Sequence, residues 1–348
     1  MYSTNAKRRS FIKSSSGLLL ATAMPLLTRE AAAQEGNVVV GTWGGDYQNL
    51  LQKIVNPISG STIVFDTGNA VARATKIRAE KNSRRGSMDV GLLQDVDMYD
   101  LSLVEPFHAI SEQHTPNIAN AYEQFRTSYS IPHIFSAMVL VYNTEKITTP
   151  PDTFAAAVDP KYRGRVGFSD ILHVANTLFA GLANGGNMSS FTAGMKFLAE
   201  IKKNDPKIFP SNEAVAAALK SGEIWMTCMW KARALQWQDA GLPLGFVLPK
   251  EGGVAVTFEG AVPKNARNAA GAWKFLNAMM DPVGQVEFAK AMGYAPTVRN
   301  AILPPELKAR VSFTDAELKR VLPYDSKGLV PQKTEVLDYW NKSFKAGA

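Results

Sequence analysis

The chain has 348 residues, of which 46% are hydrophobic and 20% charged, the balance of a soluble globular protein too long for one ordinary core. Of its formal net charge of +7, the first 33 residues supply +4, from Lys7, Arg8, Arg9, Lys13 and Arg29 against Glu30. What is left elsewhere is too small for a nucleic-acid footprint, and no basic run with interleaved aromatics occurs.

In chain order, the first element is "KRRSFIKSSSGLLLATAMPLL", a basic cluster before a short apolar run, followed by the small residues of "AAAQ". This order predicts an export signal over residues 1–33. Gly17–Leu27 is too short, and too interrupted by Thr22 and Pro25, to cross a bilayer core of ~30 Å. "RRSFIK" resembles a twin-arginine signal, with Arg8-Arg9 followed by Phe11, Ile12 and Lys13. That route implies export in folded form to the periplasm; an ordinary secretory signal is the alternative.

Next comes "VVVGTWGGDYQNLL", which predicts a buried strand over Val38–Gly41, a glycine turn, and a helix N-capped by Asp46. Further strands are predicted at Thr62–Phe65, Asp89–Leu93, Met138–Tyr142, Arg165–Phe168, Ile224–Met229 and Leu244–Leu248. Helical patterns cover Ala70–Glu80, Ile118–Phe125, Thr192–Lys202, Ser211–Lys220 and Ala269–Met280. Such alternation predicts an α/β fold with mostly parallel sheets flanked by helices. "IPHIFSAMVLVYNTEKI" and "GVAVTFEGAVPKNA" are long enough to leave one sheet and enter another. Two such crossings predict two lobes on a double hinge: residues 34–138 plus 262–305, and residues 139–261, with 306–348 as a helical tail. The single cysteine, Cys228 in "IWMTCMW", excludes an internal disulfide and reads as a buried, inert thiol.

No G-x-S-x-G elbow, phosphate-binding glycine loop or H-E-x-x-H motif is present. The histidines His108, His114, His133 and His173 have no i,i+4 pairing for a metal. The expectation is therefore a binding protein without catalytic residues, cofactor or metal.

The segments "VVVGTWGGDYQNLL", "MDVGLLQDVDMYDL", "VYNTEKI", "DPKYRGRVGFSD", "AALKSGEIWMTCMW", "VLPKEGG" and "MGYAPT" occur in that order. As a set they resemble the spermidine/putrescine-type branch of the bacterial extracellular solute-binding proteins, over residues 37–297. The resemblance implies the type II periplasmic-binding-protein fold, a small-molecule ligand, an ABC permease as partner and no chemistry. Monomeric use is expected. A chemoreceptor partner on the same scaffold, or a twin-arginine-exported enzyme, are the rivals.

In open α/β sheets ligands meet the loops at strand carboxyl ends. Candidate ligand contacts by that rule are Trp43 and Tyr47, Thr67 and Asn69, Asp95, Ser136, Ser169 and Asp170, Trp230, Glu259 and Tyr294. Gln94, Asp97 and His173 lie in the same loops. Trp230 matches the family's ligand-stacking tryptophan. Trp43, Tyr47 and Trp230 would wall a methylene stem, and Asp95 and Glu259 would meet an ammonium. Asp46 and Asp170 also read as helix caps. Against the family pattern, its second tryptophan and ligand-binding aspartate fall on Val256 and Phe258, and Glu259 is one residue out of phase. Lys231 and Arg233, next to Trp230, would favour an acid group. A diamine, a zwitterion and an organic anion or phosphonate all remain open. Ferric iron would call for adjacent tyrosines, and no Tyr-Tyr pair exists.

Overall fold

Three β-branched residues open the first strand, β1 (Val38–Thr42), and they are buried or nearly so. The computed structural model describes residues 36–346; the export-signal and twin-arginine readings lie outside the described residues. Ten strands follow: β2 (Ile63–Thr67), β3 (Val90–Gln94), β4 (Ile131–Asn143), β5 (Val166–Ser169), β6 (Lys207–Phe209), β7 (Met226–Trp230), β8 (Leu244–Val247), β9 (Gly253–Ala261), β10 (Ala295–Pro296) and β11 (Val321–Leu322). They join in the order β2-β1-β3-β9-β4-β7-β5-β6, with β8 and β10 also on β4 and β11 on β9.

Two parallel groups emerge, β2-β1-β3 and β7-β5-β6, joined through the antiparallel pair β9 and β4. β4 changes partners midway. Ile131–Ala137 pair with β9, while Met138–Asn143 pair with β7 or β8. Both β4 and β9 are buried along nearly their full length, so they read in sequence as unbroken apolar runs. This is a mixed α/β architecture in which β4 passes from one ladder to the other, while β9 pairs with β3, β4 and β11.

Helices cover the faces, and several begin where a polar side chain takes an orphan N–H. Asn69 caps Ala70–Glu80, Ser211 caps Asn212–Ser221, Asn268 caps Ala269–Met279 and Asp281 caps Pro282–Met292. Two expectations need correction. Gly45 holds the cap position of Asp46–Leu50 at φ 72°, a left-handed value that suits glycine, and Asp46 is already inside the helix. The stretch 118–125 is not one helix but two 3₁₀ turns, Pro116–Asn120 and Glu123–Phe125. Between them the Tyr122 N–H is drawn to the Thr297 carbonyl, which holds the chain extended.

The C-terminal segment packs on the β5 side. Trp340 and Phe344 are buried and pack edge-on against Phe168, and the Tyr339 hydroxyl donates to the Met195 carbonyl. Nearby, the helices His173–Leu182 and Thr192–Lys202 approach so closely that a Cβ on Gly194 would lie 1.9 Å from the Thr177 carbonyl oxygen. Cys228 is buried, with Sγ 3.3 Å from Asn176 Oδ1.

Gly194→Ala must therefore push two helix backbones apart, and overpacking of this kind costs about 1–3 kcal/mol or more. Gly36→Ala, where a Cβ meets nothing within 4 Å, is the matched control. Urea midpoints should fall clearly for the first and stay unchanged for the second.

Candidate functional site

The loops leaving β3, β5 and β7 and the C-terminal segment converge on a cavity of about 420 Å³. Gln94, Asp95 and Asp97 line it from the end of β3, and Trp230 from the end of β7. Leu172 and His173 follow β5, and Tyr324, Lys333 and Thr334 come from the C-terminal segment. Trp230 is 5% exposed, with its backbone turning from β7 into the helix Lys231–Asp239. That turn sets a large ring at a strand end, where an open α/β sheet presents side chains to a ligand.

Asp95 opens the helix Asp95–Ser102, and each of its carboxylate oxygens accepts one backbone N–H, from Val96 at 2.9 Å and Thr257 at 3.2 Å. Burial outweighs those bonds and pushes the carboxyl up to about 7. Asp97 accepts from Lys333 Nζ at 3.1 Å. The His173 imidazole is held below its usual range by burial.

Asp95 and Tyr324 also wall a second, neighbouring cavity of about 250 Å³, shared with Tyr99, Tyr129 and Glu259. Glu259 is 5% exposed and accepts the Ser130 hydroxyl at 2.5 Å. Burial, then the charge of Asp95, push its carboxyl up to about 8. Two neighbouring acids thus both resist ionisation.

Three other expected contacts form a separate aromatic cluster around Phe258. Trp43 stacks on Phe258 at 5.0 Å between centroids, Tyr47 meets it edge-on at 5.3 Å and Tyr294 lies at 5.2 Å. The Tyr47 hydroxyl is taken by His133 Nδ1 at 2.8 Å, and burial holds that imidazole neutral, down to about 3. Tyr47 and Tyr294 are nearly fully buried, so their rings pack against protein.

Elsewhere the expected residues have local partners. Thr67 is exposed at the end of β2, and Asn69 accepts the Ala72 N–H as a cap. Ser136 Oγ accepts the Ala232 N–H, capping the helix after Trp230 from a neighbouring strand. Ser169 is buried, and its hydroxyl has no hydrogen-bond partner among the described residues. Asp170 does not cap a helix with its side chain. Its two oxygens accept from Trp340 Nε1 at 2.7 Å and Lys345 Nζ at 2.5 Å, anchoring the C-terminal segment. Lys231 turns away from the 420 Å³ cavity: it is buried, donates to the Ser312 carbonyl and lies 4.5 Å from the Phe313 ring centre. Arg233 spends one nitrogen on Gln236. The sequence reading that placed these two cations beside the ligand is corrected accordingly.

Two contributions had no visible signal in the sequence. Tyr324 reaches the cavity from just after the two-residue strand β11, and Lys333 and Thr334 from the helix Lys333–Tyr339, in a segment where the sequence reading placed no strand. Arg73 lies on an apparently solvent-facing helix, yet it is 3% exposed. It bridges the carbonyls of Leu92, Thr42 and Gly68, and its guanidinium lies 4.7 Å from the Trp43 ring centre. Its Nη2 has no partner among the described residues.

Comparison with known proteins bears on this site's family. A family model described as bacterial extracellular solute-binding protein matches residues 32–315. The spermidine/putrescine-binding periplasmic protein of Salmonella typhimurium is 29% identical over 225 residues, 62% of this chain and 62% of that one. The chain thus matches somewhat under two thirds of that relative's length. Among solved structures, a GABA receptor superimposes with TM-score 0.78 at 18% identity, over 90% of this chain and 98% of that chain. An ABC transporter substrate-binding protein from Bradyrhizobium japonicum gives TM-score 0.76 at 22% identity, over 88% and 98%. The two structural likenesses establish the shared fold; the family model, spanning most of the sequence, establishes membership. The chain belongs to the bacterial extracellular solute-binding proteins.

Proposed function

We propose that the chain is the periplasmic receptor of an ABC import system and binds a small amine-bearing molecule between two lobes. In this reading residues 34–138 plus 262–305 form one lobe and 139–261 the other, with the tail from 306 lying across them, and the receptor acts as a monomer. The signal in residues 1–33 directs export, by the twin-arginine route. Closure on the ligand excludes water and presents a shape that the permease recognises. Directional delivery follows, because a ligand shifts the hinge equilibrium only by its differential affinity for the closed form.

One observation carries the reading. A single cavity gathers Trp230 and Asp95 from strand ends of the two parallel groups, an indole together with an acid without a cation partner among the described residues. An ammonium beside Asp95 would restore the charge that burial suppresses, and an indole wall would desolvate a methylene stem. The relatives lean the same way: one is named for spermidine and putrescine and one for GABA, and all three molecules carry an amine. The site is one of binding, with no residue asked to do chemistry.

A thermal-shift screen over diamines, amino acids and organic acids tests this. An amine at a hundredfold excess over its Kd should stabilise the protein by ~2.7 kcal/mol. Trp230→Ala should abolish the shift while the unliganded protein still melts cooperatively. A screen in which only organic acids stabilise would overturn the amine reading.

Affinity should also follow pH. Asp95 is raised to about 7, so below that pH the unliganded site is protonated and an ammonium must displace a proton. Binding measured by calorimetry should strengthen as pH rises from about 6 to about 8, and Asp95→Asn should both weaken it and flatten the slope. Stability of the unliganded protein should run the opposite way. Free Asp and Glu titrate near 4, so between about 4 and about 8 the native state holds protons on Asp95 and Glu259 that the unfolded chain has shed. The melting temperature should therefore fall across that window, less steeply in Glu259→Gln.

A further inference from the structure

We propose that Lys333 sets the charge selectivity of the 420 Å³ cavity, so that it takes a zwitterion with one ammonium and one carboxylate in preference to a diamine. The proposal rests on the amine-receptor reading and narrows its ligand class. It starts from the pairing of charges around the cavity. Lys333 Nζ lies 3.1 Å from Asp97 and 3.9 Å from Asp100, and Arg78 takes Asp100 at 3.2 Å. Asp97 and Asp100 are thus already matched by Lys333 and Arg78. Asp95, with only backbone donors, is the lining carboxylate left without a cation among the described residues.

The consequence is a site with room for one positive charge. A diamine would set its first ammonium on Asp95 and bring the second into the field of Lys333, which lines the same cavity. Driving Lys333 off Asp97 gives no relief, since it exchanges one cation for another and leaves the lysine unpaired. Glu259 offers no easy substitute, because it lies in the neighbouring cavity, behind the wall formed by Asp95 and Tyr324, and is held by Ser130.

A carboxylate at the far end of the ligand meets the opposite situation. An ammonium has three donors, and Lys333 spends at most two on acids. The adjacent Thr334 hydroxyl and the Gln94 amide line the same cavity with no hydrogen-bond partner among the described residues. Together they provide donors for an acid group on the wall that repels a second amine. Lys231 and Arg233, which the sequence put forward for that role, lie outside the cavity lining.

Competition calorimetry on the full chain separates the cases. The probes are unbranched diaminoalkanes and ω-aminoalkanoates of matched carbon number, measured on the wild type, Lys333→Met and Lys333→Arg. The expected result is that the best aminoalkanoate binds wild type at least about tenfold more tightly than its matched diamine. Lys333→Met should shrink or invert that ratio, and Lys333→Arg should keep it. A purely structural role for Lys333 would weaken both series together and leave the ratio alone. Diamines that bind wild type as tightly as aminoalkanoates, or a ratio unmoved in Lys333→Met, overturn the selectivity proposal and leave the amine receptor standing. If neither series binds wild type, the amine reading itself falls and this inference with it.

Discussion

The backbone of β4 has to satisfy its donors and acceptors in two sheets at once. Six of its first seven residues pair with β9, all but His133, and its last six pair with β7 or β8; almost every side chain along it is buried. The register slips between Pro132 and Ile134, where proline brings no N–H to the ladder. The carbonyls of Pro132 and His133 that face this irregularity are both served by the Thr297 hydroxyl, at 2.9 Å each. Such care is required, because an unpaired peptide group buried there would cost ~1–3 kcal/mol. Since β4 and β9 are the joint between the two parallel groups, the strand ends of both groups are brought round to one region. The cavity lies there.

A second constraint comes from the C-terminal segment. It is pinned to the β5 side through Trp340, Phe344 and the Asp170–Lys345 ion pair, yet Lys333 reaches the acids that follow β3. The same segment therefore supplies a wall of the cavity and a bond across it. Its charges are partly exposed, which keeps the ion pairs individually weak. Its hydrophobic side chains do most of the holding.

Much of the fold was legible because buried parallel strands and capped helices leave strong local patterns. Three valines before Gly41 and the unbroken apolar run of "IPHIFSAMVLVYN" each had one natural interpretation. Local patterns failed where a distant partner decided the outcome. The stretch 118–125 looks helical until Thr297 and Val298 pair with it. The site was legible only in part for the same reason. The strand-end rule found Asp95 and Trp230 at the cavity, but it also returned Ser136 and Asn69, whose side chains cap helices. Lys333 obeys no such rule, since only the packing of Trp340 and Phe344 brings it there. Lys231 illustrates the converse: adjacent in sequence to Trp230, it turns the other way because the helix begins between them.

Phe258 deserves a different kind of weight. In the polyamine-type pattern that this sequence resembles, an acid falls at its position; here an apolar ring gathers Trp43, Tyr47 and Tyr294 into one packed cluster. The amine reading proposed above therefore rests on the Asp95 side.

The buried state of Cys228 has a practical corollary. It is the sole sulfhydryl in the sequence, it is fully enclosed, and burial raises its pKa far from the reactive thiolate range. Any cysteine engineered onto the surface would thus be the only one a maleimide meets under native conditions. A pair of such sites, one on each side of the β4–β9 joint, would carry donor and acceptor dyes without first stripping out a native residue. The hinge closure proposed above could then be followed one particle at a time.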